Sequence, residues 1–353
     1  MKIIIPLVGT FGKAGGWRVI SELANHWIAQ GHEVVFFSHI KSEGPYFPTR
    51  AKIFYFDNQG KMFNDFNNNH PKALLGPFGI RRMLRNILNK QEADIVLATH
   101  CLTAHPVRYS TIKAKKFYYV QAYEPEYYYK KDIKSRVYKQ ISKNSYHLGL
   151  NIIVNAPMYL DYKDIKADKF VFPGVDFNVF KPTKQLQQKK IIIGTIGRLE
   201  AYKGTSYVLE AFKLLRKEMG DKLELHIAFG DDSLKSEDGI VLHIPQGDQE
   251  LAEYYNSLTM YVCAGLVQLE AVHYPVIESM ACKVPVITTG YLPANDDNSW
   301  KVPVKNANEI KNRVLEVLEN EKETIRKIEQ AFLDVQQFES KAVAAKMLNY
   351  FKE

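Results

Sequence analysis

Strands and helices alternate along the whole chain, and the alternation starts twice. Lys2-Ile-Ile-Ile-Pro-Leu-Val reads as a buried strand; Gly9, Gly12, Gly15 and Gly16 follow, then an amphipathic helix to about Gln30 and a second strand from Glu33 to Ser38. Further strands are expected at 53–56, 94–99, 116–121 and 152–155, with helices near 72–90, 103–112 and 127–144. Lys190-Ile-Ile-Ile-Gly-Thr-Ile-Gly-Arg then opens the pattern again, with a helix at about 204–218 and strands at 222–229, 239–243 and 259–263. Strands joined through helices form parallel sheets with right-handed crossovers and take ligands at their carboxyl ends. The predicted fold is therefore α/β, two Rossmann-like doubly wound parallel-sheet domains facing a cleft.

A chain of 353 residues is too long for one ordinary core, and its hydrophobic share of 46% suffices for two. The turn-rich segment from Pro173 to Pro182 is the expected hinge. It divides the chain into 1–182, 183–335 and a terminal segment, 336–353, whose helix packs back on the first domain. The three cysteines, Cys101, Cys263 and Cys282, give neither a disulfide framework nor metal-ligand spacing, which favours a reducing cytoplasm. No stretch approaches the apolar length of a membrane span. The net charge of +8 is uneven: residues 1–183 hold 26 Lys/Arg and 14 Asp/Glu, giving +12, and the remainder hold 21 and 25, giving −4. A basic first half suits phospholipid head groups, a pyrophosphate-linked acceptor or nucleic acid, and solvated lysine-rich helices account for it equally well.

Two features carry chemistry. Gly197-Arg198-Leu-Glu-Ala-Tyr-Lys203-Gly204-Thr205 lies between a strand end and a helix start, where free backbone N–H groups and the helix dipole favour an anion, and Arg198 and Lys203 stand ready to clamp a diphosphate. Glu270 and Glu278, with seven residues between them, flank the start of another helix that Pro275 is placed to open, which puts Glu278 in its first turn. Either glutamate alone is an ordinary helix-stabilising surface charge. Together at a helix start in an α/β domain, they can accept hydrogen bonds from sugar hydroxyls.

The glutamate pair, Gly197-Arg198 with Lys203-Gly204, Pro173-Gly-Val-Asp-Phe-Asn-Val-Phe-Lys-Pro182 and the early glycine loop before Gly31-His-Glu-Val together resemble a retaining glycosyltransferase of family 4 with GT-B architecture. The resemblance implies sugar transfer from a nucleoside diphosphate sugar to a saccharide or lipid-linked acceptor, in cell-surface polysaccharide or glycan synthesis. It also implies an acceptor-binding first domain and a donor-binding second one. Arg198 and Lys203 would hold the donor diphosphate, Glu278 the ribose hydroxyls and Glu270 the transferred sugar. Gly15 and Gly16 would approach the diphosphate; Gly197, His273 and Tyr274 complete the expected donor site. No cofactor and no metal are expected, because Arg198 and Lys203 can stabilise the leaving diphosphate; in the family's front-face mechanism the departing phosphate accepts the acceptor's proton, so a histidine base is dispensable.

The chain departs from the family in two places. Glu270-Ala-Val-His273-Tyr274-Pro275 lacks the glycines that usually follow the first glutamate, and together with 121–126 it is similar to rhamnosyltransferase-like members, which points to a deoxythymidine-linked donor. No histidine follows the strand Phe117-Tyr-Tyr-Val-Gln121, which leaves Gln121, Tyr123, Glu124 and His100 as acceptor-side candidates. Tyrosine and lysine crowd 113–143 and suit an acceptor saccharide or an anionic membrane surface on the inner face; no nucleic-acid module accompanies them. Two alternatives share the architecture: a sugar-nucleotide epimerase, and a non-catalytic sugar-nucleotide-binding subunit.

Overall fold

The computed structural model describes residues 1–9, 11–12, 15–183, 190–197 and 200–353. The chain forms two compact units, Met1–Gly174 with Ser340–Glu353, and Val175–Glu339. The first unit thus closes at Gly174, ahead of the residue-182 boundary expected from the hinge sequence, because Val175 already pairs with Glu339 and its N–H bonds Phe338 O (2.8 Å).

In the first unit the order is β1 (Lys2–Pro6), α1 (Gly15–Ala29), β2 (Glu33–His39), β3 (Lys52–Phe56), β4 (Met62–Phe63), α2 (Pro77–Leu88), β5 (Ile95–Ala98), α3 (Cys101–Tyr109), β6 (Lys115–Val120), α4 (Ile133–Ser145), β7 (Asn151–Val154) and β8 (Lys169–Phe170). The sheet runs β4-β3-β2-β1-β5-β6-β7-β8, parallel except for the β3–β4 pair. β5 is wholly apolar and buried, and β1 is so after Lys2, as strands covered by helices on both faces must be.

The second unit holds β9 (Ile191–Ile196), α5 (Thr205–Met219), β10 (Leu223–Ala228), β11 (Ile240–His243), α6 (Gly247–Asn256), β12 (Met260–Cys263), α7 (Tyr274–Ala281), β13 (Val286–Thr288), β14 (Trp300–Lys301), α8 (Ala307–Glu319) and α9 (Glu321–Asp334). Its sheet is parallel throughout, in the order β11-β10-β9-β12-β13-β14. Strand succession reverses between β9 and β12, so their carboxyl ends form the switch point at which open α/β sheets bind ligands. Ile193, Leu225, Val262 and Ile287 from the strands pack with Phe212, Leu215 and Val314 from α5 and α8 to make the core beneath that point.

The last helix, α10 (Ser340–Lys352), belongs to the first unit. Trp27 on α1 is buried against Phe351, with ring centroids 5.5 Å apart, and its Nε1–H donates to Ala344 O at 3.0 Å.

Candidate functional site

The β9–α5 connection is shaped by two glycines. A Cβ on Gly197 would lie 2.2 Å from Ile227 Cγ2, and one on Gly204 would lie 1.8 Å from Ala264 O just beyond β12. Gly204 also has φ +70°, a left-handed conformation that costs side-chain-bearing residues free energy. The loop can therefore press against the end of β12, and Leu266 N–H seals the contact by donating to Tyr202 O (2.8 Å). This places Lys203, at the end of the short 3-10 turn Ala201–Lys203, at the switch point. Its ammonium lies 5.4 Å from the Tyr202 ring centroid. No side chain caps the start of α5 or of α7, so both helices direct backbone N–H groups and positive dipole ends into this region. Arg198, the other expected diphosphate cation, lies outside the described residues.

The segment 264–273 forms the second wall. Thr289 Oγ1 donates to Gly265 O (2.7 Å), Tyr291 Oη donates to Val267 O (3.0 Å), and Leu292 N–H donates to Ala271 O (3.1 Å). Glu270 is exposed on this loop. His273 stacks on Tyr291 (centroids 4.7 Å, planes 24° apart), and its Nδ1 is 3.6 Å from Cys263 Sγ. Burial pushes the Cys263 thiol up to about 11, with Lys203 opposing the shift, so the sulfur is a neutral packing group at neutral pH. Tyr274 is the first residue of α7.

Glu278 is not in the first helical turn. His273 occupies the cap position and α7 begins at Tyr274, one residue ahead of the expected proline opener, so Glu278 falls in the second turn. It is only 1% exposed, which removes the surface-charge reading, and Tyr255 Oη on α6 donates to its Oε2 at 2.8 Å. Burial and the carboxylate together hold the Tyr255 phenol far above its ordinary value, so it stays a proton donor to Glu278. Sequence reasoning missed Tyr255 and Tyr291; only their aromatic side chains in an α/β context hint at them.

The remaining candidates belong to the first unit. Gly15 opens α1, and a Cβ on Gly16 would meet Gln121 Oε1 at 3.2 Å, so the early turn and the end of β6 adjoin. That Gln121 oxygen is buried with no hydrogen-bond partner among the described residues, as is Asn155 Oδ1, whose Nδ2–H donates to Gln121 O at 2.7 Å. His100, Tyr123 and Glu124 are brought near one another but are occupied structurally. His100 caps α3: its Nδ1 accepts from Leu102 N–H at 3.1 Å, which leaves the proton on Nε2, 3.2 Å from Glu124 Oε2. Glu124 is buried and its Oε1 accepts from Cys101 N–H (2.8 Å) and Tyr118 Oη (3.1 Å). Tyr123 stacks on Tyr146 and its hydroxyl donates a hydrogen bond to Asp164 Oδ2. His100, Cys101 and Glu124 offer ligand atoms within 4.8 Å of one another, a geometry that could hold a metal ion. The hydrogen bonds just described occupy His100 Nδ1 and Glu124 Oε1, whereas Nε2 and Oε2 face one another at 3.2 Å, and burial raises the Cys101 thiol well above its ordinary range.

Residues 176–333 match the family model described as glycosyl transferases group 1. That group 1 segment coincides almost completely with the second unit. The chain is 31% identical over 186 residues to a probable sucrose-phosphate synthase of Thermosipho melanesiensis, an alignment covering 46% of this chain and 43% of the relative. The chain thus matches less than half the length of that curated relative. Among solved structures, sucrose-phosphate synthase from Thermosynechococcus elongatus superposes with a TM-score of 0.77 at 17% identity, over 99% of this chain and 98% of the other. Anabaena HepE in complex with UDP-glucose gives 0.74 at 13% identity, over 100% and 99%. The fold is GT-B, two Rossmann-like parallel-sheet domains.

Proposed function

We propose that the protein is a glycosyltransferase that moves a hexosyl or deoxyhexosyl group from a nucleoside diphosphate sugar to a saccharide or lipid-linked acceptor, with retention at the anomeric carbon, as in family 4. Its setting is cytoplasmic glycan or polysaccharide synthesis. The observation that carries the reading is the joint placement of Lys203 and the uncapped start of α5 at the β9/β12 switch point, inside the group 1 segment. Charge develops on the diphosphate as its bond to the sugar breaks, and fixed cations and backbone N–H groups lower the barrier by stabilising that charge. The acceptor oxygen bonds to the anomeric carbon, the carbon–phosphate oxygen bond breaks, and the acceptor's proton passes to the departing phosphate oxygen.

Lys203, with Arg198, is assigned to the diphosphate, Gly197 and Gly204 to the close backbone approach. Glu270, His273 and Tyr274 are assigned to the sugar, and Glu278, positioned by Tyr255, to the ribose side. In the first unit, Gly15 and Gly16 are assigned to the diphosphate, and the buried oxygens of Gln121 and Asn155 to hydroxyl donors of the acceptor.

The donor test begins with UDP-glucose, since HepE is seen in complex with it, and continues with a deoxythymidine-linked deoxyhexose. Thermal unfolding against this panel, followed by assay of nucleoside diphosphate release, is expected to show a raised transition and acceptor-dependent turnover. Conversion of donor without acceptor would identify an epimerase, and binding without turnover under a broad acceptor panel would identify a non-catalytic subunit; either outcome overturns the proposal.

A further inference from the structure

α2 and α4 of the first unit are rich in cations, and the acid that pairs with one of them, Asp164 with Lys143 at 3.4 Å, lies outside both helices. Arg81, Arg82 and Arg85 lie on α2, and Lys134, Arg136, Lys139 and Lys143 lie on α4, and neither helix contains an Asp or Glu. Lys130 and Lys131 precede α4, and the neighbouring Asp132 spends its carboxylate capping Ser135 N–H at 2.8 Å. Large apolar side chains stand in solvent among these charges: Leu74 is 81% exposed, Leu75 77% and Ile133 80%. Phe78, Tyr129 and Val137 are also exposed. The two segments adjoin, because the Phe78 ring lies 6.1 Å from that of Tyr138, which in turn stacks on Tyr128 at 5.5 Å. Leu75 has φ +64°, a conformation that a bulky residue rarely adopts and that is found where surroundings or function demand it.

We propose that this face docks the protein on an anionic lipid surface, with Leu74, Leu75 and Ile133 entering the head-group region and Lys130, Lys131, Lys134 and Arg136 meeting lipid phosphates. Charge complementarity selects the occupant. A second copy of the chain would bring the same excess of cations and repel, and nucleic acid offers phosphates but no place for three exposed aliphatic side chains. A lipid interface satisfies both features at once, because apolar burial and attraction to anionic head groups add in interfacial binding. Among the described residues no helix is long and apolar enough to cross a membrane, so this contact would lie on the surface. The inference is independent of the donor chemistry.

Co-sedimentation of the full chain with vesicles of phosphatidylcholine alone, and of equal parts phosphatidylcholine and phosphatidylglycerol, tests it. Binding is expected only to the anionic vesicles and should weaken as salt is raised. Each cation close to such a surface contributes roughly a fivefold gain in partition. Replacing three (Lys130→Glu, Lys131→Glu and Lys134→Glu) should therefore lower binding by at least about tenfold. A second variant, Leu74→Ser, Leu75→Ser and Ile133→Ser, keeps the charge and should also bind less. All six positions are exposed, and far-UV circular dichroism reports that the variants remain folded. Wild-type protein that stays in the supernatant with both vesicles overturns the proposal. So do variants that sediment like wild type, retention by a soluble polyanion without vesicle binding, or a dimer in light scattering that the serine variant abolishes.

Discussion

Gly204 allows no other residue without moving the site. Its φ of +70° and the 1.8 Å approach of a built Cβ to Ala264 O mean that alanine there must both adopt a left-handed backbone and push β12's exit away. The backbone penalty alone is about 1–3 kcal/mol. Gly204→Ala should therefore lower the urea midpoint and weaken donor binding together. Lys203 presents the opposite case, a residue whose removal leaves the fold standing. Lys203→Ala should lower kcat/KM on the order of a hundredfold, as removal of a single preorganised charge-stabilising group commonly does, while leaving the urea midpoint within experimental error. An unchanged kcat/KM would sink its assigned role. The buried Glu278 accepts a hydrogen bond from the Tyr255 hydroxyl, and removing that donor leaves the carboxylate less satisfied. Tyr255→Phe should accordingly cost about 1–3 kcal/mol of stability in urea denaturation and also raise KM for the donor, which separates it from Lys203→Ala.

At the scale of elements, α10 is anchored from several directions, by Phe117 and Lys115 of β6 and by a large side chain from near the opposite end of the sequence. Trp27 fills its core against Phe351 and satisfies Ala344 O, so Trp27→Ala should destabilise the first unit by about 3–5 kcal/mol, measured by urea unfolding. Strands β10 and β11 carry a second coupled feature. Glu224 Oε2 lies 3.2 Å from His226 Nε2, and His226 Nδ1 lies 3.0 Å from His243 Nε2, with Lys190 on the same glutamate. Desolvation by burial lowers both histidines below their ordinary value, despite the glutamate beside His226. The unfolded chain therefore takes up these protons more readily than the folded one, and stability should fall as pH drops below about 6.5, the ordinary histidine value. Thermal unfolding of His226→Gln, His243→Gln protein across that range should show a shallower decline than wild type. Much of this element order was legible in the sequence. β1 and β9 each hold an Ile-Ile-Ile run and β5 is apolar throughout, and such runs announce themselves. β4, β8 and β14 have two residues each, too few for any periodicity, and were not readable. The register of α7 slipped by one residue because Pro275 suits a first or second helical position alike, and that slip moved Glu278 out of the first turn. The hydrogen bonds of Tyr123 and Glu124 were beyond reach, since Asp164, Cys101 and Tyr146 come from other parts of the chain.

Taken as a whole molecule, the chain repeats one solution twice, a parallel sheet whose strand order reverses near its middle, in units of different charge. The first half is basic and the second slightly acidic, yet the expected diphosphate ligands of the second lie in one loop and two helix starts rather than in its net charge. Local placement, not overall charge, should therefore decide which unit the nucleotide stabilises. A ligand that binds only the folded second unit raises that unit's stability by mass action, by about 2.7 kcal/mol at a hundredfold excess over its Kd. Differential scanning calorimetry of the full chain with UDP should move the transition belonging to Val175–Glu339 upward, while Lys203→Ala should reduce that shift at the same UDP concentration. The assignment of melting transitions can be fixed independently, because Trp27→Ala should lower only the one belonging to the first unit. A UDP-dependent rise confined to the transition that Trp27→Ala lowers would place the nucleotide on the first unit and refute the site at the β9/β12 switch point.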